Sequence, residues 1–172
     1  MVTYNKSNAE CFVFTSKEGL FSKAAHDLKI QVERFEIHVE DSSGAIEATF
    51  DSSSLRLVSA QLDGREERLS ARDVQKIHNH IVNDVLQSKK FPEVRFVSSS
   101  VEPLEDGFRV KGSLTLHGQT RPLSADIRAE GEQWMTDVPL HQPDFGIKPF
   151  RALFGTIRIK PSVRVRVSVP KS

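Results

Sequence analysis

Residues 157–169 read IRIKPSVRVRVSV. Ile157, Ile159, Val163, Val165, Val167 and Val169 share one parity, and Arg158, Lys160, Arg164, Arg166 and Ser168 hold the other. A period of two is that of a β-strand, whose successive side chains point to opposite faces. The stretch predicts one long strand, interrupted only at Pro161, with an oily face and a wet face. The fold and the function both turn on what the oily face looks at: a packed core, or a cavity holding an oily molecule.

The same period runs through most of the chain. Leu28, Ile30 and Val32 alternate in LKIQV, and Phe35, Ile37 and Val39 in FEIHV. Parity flips between Val32 and Phe35, which predicts a β-bulge or sharp bend at Glu33–Arg34. GAIEATF, SLRLVSAQL and EVRFVSSSV read as further strands. DGFRVKGSLTL and PLSADIRA, separated by a turn at HGQT, form the strongest hairpin signal. QWMTDVPL is another strand, which Pro139 would end or place at an edge. One segment departs from this pattern. Val74, Ile77, Ile81, Val82 and Val85 recur at helical spacing, Ser70 stands as N-cap with Asp73 in capping-box position, and Pro92 follows the end. Many strands around one helix, at about 70–88, predict an all-β antiparallel sheet closed or nearly closed on itself. The 172 residues fit one domain, 1–172, large enough for a real core.

Composition narrows the function. Net charge is +1, which argues against a general nucleic-acid binder. The residues from Phe145 to Ser172 carry seven basic side chains and no acid, while VERFEIHVEDSSGAIEATFD is acidic. Either these strands pair charges on their outer faces, or the basic stretch meets lipid phosphates or an anionic membrane. No apolar run approaches the ~20 residues that span a bilayer, and the first residues lack the pattern of a signal peptide. A cytoplasmic protein is expected. Cys11, the single cysteine, sits among Phe12, Val13 and Phe14 and reads as a buried small hydrophobe.

Motif chemistry is sparse. G-x-S-x-G, P-loop and H-E-x-x-H patterns are missing, and no cofactor or metal is implied. His78 and His80 point apart on a helix and cannot share a metal. His78 falls in the apolar sector as an interior histidine, and His80 faces solvent. His26 and Asp27 sit at a strand entry, where either could make a backbone hydrogen bond, meet a ligand headgroup or act in catalysis. His117 is assigned to the surface and His141 to a loop.

Three stretches in order carry a family resemblance: LQSKKFPEVRFVSSSVE, GFRVKGSLTLHGQTRPLSADI and QPDFGIKPFRALFGTIRIKPSVRVRVSV. Together they resemble the YceI-like family of lipocalin-type barrels, from about Ser16 to Val169. The resemblance implies an eight-stranded antiparallel barrel holding a long amphiphile such as a polyisoprenoid, an isoprenoid quinone or a fatty-acid-like molecule. It implies a binding or carrier role and carries over no catalytic or metal residue. The chain departs from the family in lacking a visible signal and in a longer, more charged segment at DGREERLSARDVQKIHNHIVNDV.

The expected ligand wall is Phe14, Leu28, Ile30, Phe35, Ile37, Phe50, Phe96, Phe108, Val110 and Leu114. Phe145, Phe150 and Phe154 would form a loop lid, and His26 would meet the polar head. Two other readings stand beside the lipid carrier. One is a small barrel enzyme using His26 or His78 as general base on a hydrophobic substrate. The other is a protein-interaction module with a filled interior. The expected partner is an amphiphilic small molecule, with room for peripheral contact with an anionic membrane and for a homodimer.

Overall fold

The structure is a computed structural model that describes residues 1–18, 27–152 and 157–171. The strands are β1 (Val2–Asn5), β2 (Glu10–Thr15), β3 (Asp27–Val32), β4 (Phe35–Val39), β5 (Ile46–Asp51), β6 (Leu55–Leu62), β7 (Arg65–Glu67), β8 (Glu93–Leu104), β9 (Gly107–Leu116), β10 (Gln119–Glu130), β11 (Gln133–His141), β12 (Arg151–Ala152), β13 (Ile157–Arg158) and β14 (Ser162–Pro170). Helix α1 (Ala71–Asn79) continues as a π-helical segment, His80–Val85, and Gln142–Phe145 form a 3₁₀ turn. The main sheet runs β1-β4-β5-β8-β9-β10-β11-β14-β2-β3-β6-β7, every ladder antiparallel. It has twelve strands in a linear order, where the sequence led us to expect eight in a closed ring.

Most of the difference comes from breaks in long strands. β1 and β2 are separated by a turn in which Asn5 Oδ1 accepts from Ser7 N at 2.8 Å and Asn5 O accepts from Ala9 N at 2.8 Å. β3 and β4 are separated at Glu33–Arg34, where the parity flip demands it: Val32 and Phe35 are both buried. The device is a strand break rather than a bulge inside a ladder. β5 and β6 break at Ser52–Ser54, beside the first kink, and the two kinks bond to each other. Glu33 N donates to Ser54 O at 2.9 Å, Asp51 N to Arg34 O at 3.0 Å, and Arg34 N to Ser54 Oγ at 3.0 Å. Backbone groups that a kink would orphan are satisfied there.

Two expectations about proline are revised. The C-terminal stretch is not one strand: β13 pairs with β12 in a separate two-stranded sheet, and β14 starts beyond Pro161, which has no N–H for a ladder. Pro139 lies in an interior strand rather than at an edge. The β10–β11 ladder stops at Thr136, so on that side the missing N–H leaves no ladder partner unpaired. The HGQT turn is a two-residue hairpin with both His117 (φ 52°) and Gly118 (φ 73°) left-handed. His117, expected at the surface, is half-buried at the hairpin tip. Its ring lies 4.3 Å from that of Phe91, and its Nε2 is buried without a partner among the described residues.

The helix begins where its cap dictates, with Ser70 Oγ accepting from Asp73 N at 3.1 Å. His78 Nδ1 lies 3.0 Å from Leu55 O, which ties α1 to β6. No helix among the described residues is long and apolar enough to cross a membrane.

The acidic and basic stretches do not pair, because β14 neighbours β11 and β2 whereas β4 and β5 neighbour β1 and β8. Arg164 and Arg166 converge instead on Asp137 of β11. Arg164 Nε donates to Oδ1 at 3.0 Å and its Nη2 to Oδ2, while Arg166 Nη2 donates to Oδ2 at 3.0 Å. The hydrogen bond from Arg164, reinforced by Arg166, holds the Asp137 carboxyl below its ordinary range. A carboxylate with a lowered folded value stabilises above the unfolded range and loses that contribution as pH falls through the folded value. Stability should therefore decline on acidification below about pH 4. Asp137→Asn should lower stability at neutral pH and flatten the acid limb, read by thermal melts across pH. An unchanged slope would refute the assignment.

Candidate functional site

Alternation along the strands puts one side-chain row of each on the concave side. Those rows do not meet. They leave an elongated cavity of about 570 Å³, inside the range typical of small-molecule sites. Val163, Val165, Val167 and Val169, the oily row of the C-terminal strand, all line it. On β9 the lining runs from Phe108 to Leu116, on the order of 26 Å at an ordinary strand rise. Ile81, Val85 and Leu86 line the helix-bearing end. At the other end lie Glu40, Asp41 and Gly44 of the β4–β5 turn, with Val101, Phe108 and Trp134. Phe108 is 38% exposed although it lines the cavity, so this end opens to solvent. Its ring meets Trp134 edge-on at 5.3 Å, and Lys171 Nζ sits 5.1 Å from the Trp134 ring.

Polar groups in the wall are mostly engaged with backbone. Thr136 Oγ1 donates to Asp126 O at 2.9 Å, Ser52 Oγ to Phe91 O at 2.7 Å, and Gln142 Nε2 to Lys160 O at 3.3 Å. Thr15 Oγ1 is buried without a hydrogen-bond partner among the described residues. Cys11 also lines the wall. It is 1% exposed, and burial pushes its thiol up to about 12, which leaves it protonated and inert at neutral pH.

Of the expected wall, Ile30, Ile37, Phe50, Phe96, Phe108, Val110 and Leu114 stand in the lining. Phe35 is on the same side but packs into the core around Tyr4 and Cys11, its ring 6.0 Å from Phe50. Leu28 pairs opposite the lining residue Thr15 but is not itself in the wall. Phe14 is on the wrong face. Cys11, Val13 and Thr15 take the inner positions of β2, which turns Phe12 and Phe14 outward. Cations cover the outward rings: Lys29 Nζ is 4.3 Å from Phe12, and the guanidinium of Arg166 is 5.1 Å from Phe14. Phe145 is no lid. It is buried with Leu114 and Ile147 and anchors the 3₁₀ turn. Phe150 lies against His80 at 4.7 Å, outside the cavity. His26 and Phe154 fall outside the described residues. Asp27 is spent on backbone, accepting from Lys17 N at 2.8 Å.

The reading missed Val13, Thr15, Leu123, Ala125, Ile127, Trp134, Val138 and Leu140, which also line the wall. The alternation of PLSADI marks Leu123, Ala125 and Ile127 of β10 among them. No histidine stands in the wall among the described residues, and His78 is committed to Leu55 O; His26, the other expected base, lies outside the described residues.

An antiparallel sheet folded about an apolar interior, with one helix across an end, defines a lipocalin-like protein. The chain belongs to the YceI-like domain family, whose sequence model matches residues 3–170. It is 30% identical over 126 residues to a UPF0312 protein of Pseudomonas putida (strain W619), covering 67% of this chain and 66% of that one. The match thus spans just under two thirds of that relative's length. Among solved structures, Burkholderia cenocepacia BcnA superposes with a TM-score of 0.66 at 13% identity, over 95% of this chain and 96% of that one. A domain from Saccharophagus degradans described as polyisoprenoid-binding gives 0.58 at 10% identity, over 98% and 97%. These likenesses are of fold.

Proposed function

We propose that this protein binds and carries a long amphiphilic lipid, of isoprenoid, quinone or fatty-acid type, inside an eight-stranded barrel. The observation that carries the reading is the apolar cavity of about 570 Å³ between rows of inward side chains. Packed protein interiors leave few voids larger than a water molecule, so a greasy hollow of this size is a site for a guest. The strand order supports closure. Joined across their breaks, β1 with β2, β3 with β4 and β5 with β6 become three long strands. With β8, β9, β10, β11 and β14 they make eight, each paired with the next around a ring from β14 through β2 back to β11. β7 remains as a short appendage. The polyisoprenoid-binding description of the Saccharophagus degradans domain points to the same chemistry. Burial of a long chain at about 25 cal/mol per Å² supplies micromolar or tighter affinity once ordering costs are subtracted.

Native mass spectrometry of as-purified and delipidated protein tests this. A bound lipid, or rebinding of added ubiquinone or polyprenyl phosphate, is expected. No bound lipid and no uptake of either would reject the proposal.

A further inference from the structure

The π-helical segment divides its side chains between two spaces. Ile81 and Val85 face the cavity, while His80 and Asp84 face a second groove whose other wall is Lys148, Pro149, Phe150, Arg151 and Ala152. Val85 belongs to both walls, so the groove adjoins the helix-bearing end of the cavity. Its charge is unbalanced. Asp84 is engaged by His80 Nδ1 at 2.5 Å. Lys148, Arg151 and Arg158 form no ion pair among the described residues. The β12–β13 ladder also sets Arg151 directly opposite Arg158. Like charges directly opposed on a two-stranded ladder are destabilising, and an anion between them removes that cost. At the far end the described lining holds Glu40 and Asp41, and the Met1 ammonium pairs with Asp41.

We propose that the groove between the π-helical segment and β12 holds the anionic headgroup, phosphate or carboxylate, of the lipid whose chain occupies the cavity. This rests on the carrier reading and gives the guest a direction. The head lies against Lys148 and Arg151, with the Phe150 and His80 rings beside it, and the tail runs toward the Glu40–Asp41 end.

The test compares geranylgeranyl monophosphate with geranylgeraniol, the same chain without charge, at about 0.15 M salt. The monophosphate is expected to bind about tenfold tighter, as charge-assisted hydrogen bonds allow. The double variant Lys148→Gln/Arg151→Gln should bring the monophosphate down to the alcohol's affinity and leave the alcohol unchanged. Both positions are exposed, so the variant should melt with the wild type. Millimolar inorganic phosphate should not erase the preference. If it does, the groove is a free-anion site and the headgroup assignment falls. Equal binding of both probes, or a variant that keeps the preference, overturns the proposal while leaving a neutral-lipid carrier intact. Binding of neither probe removes the carrier reading and this inference together.

Discussion

Replacing Ala125 and Val165 with phenylalanine is expected to abolish lipid binding while leaving the protein folded. Both residues line the cavity, Ala125 on β10 and Val165 on β14 with only β11 between them, and both are only half-buried although they point inward, because they face empty space. In a filled core an enlarged side chain is forced off-rotamer at a cost of about 1–3 kcal/mol. Here the added rings enter a void, so that cost is largely avoided. The melting temperature should move by less than about 4 °C, roughly one kcal/mol at this chain length. Affinity for ubiquinone or a prenyl lipid should fall by at least about a hundredfold, since the chain loses its room. The same exchange at Val58, which is exposed on β6, should change neither quantity. A double variant that still binds lipid at wild-type affinity would place the guest somewhere else.

The second large effect is on stability. Gly112→Ala should cost about 3 kcal/mol or more and lower the melting temperature by about 6–12 °C. A Cβ at this position would stand 2.3 Å from Val97 O and 2.7 Å from the Phe96 ring. The clash with Val97 O is with backbone, so it is relieved only by parting β8 from β9 in the middle of the sheet. That ladder is already irregular here: Ser98 pairs with Gly112 and Ser100 with Lys111, leaving Ser99 as the extra residue. Glycine at 112 lets the Phe96 ring lie across β9, and Phe96 is part of the cavity wall. Alanine would push that ring into the hollow, so lipid affinity should fall together with stability. A variant melting within about 2 °C of wild type would show that the two strands tolerate a wider spacing.

Much of this architecture is legible in the residues. The alternation of Val163 to Val169 assigns one face, and all four odd-numbered valines line the cavity. Val110 and Leu114 are equally clear on β9, and the Ser70 cap marks the start of α1. ECFVFT resisted the same treatment because both of its faces are apolar, so period two cannot say which turns inward. Phe14 is outward because Lys29, Arg164 and Arg166, from the neighbouring strands, supply cations over the rings of β2. The groove beside Val85 was equally out of reach, since it joins residues near 80 to residues near 150.

Local sequence thus determined which side chains share a face, because strand geometry fixes direction from one residue to the next. Whether facing rows interlock or stand apart depends on strand breaks, curvature and the spacing of distant segments, none of which is encoded within a few residues. The sheet and its oily side belong to the sequence; the hollow, its charged ends and its neighbouring groove belong to the tertiary structure.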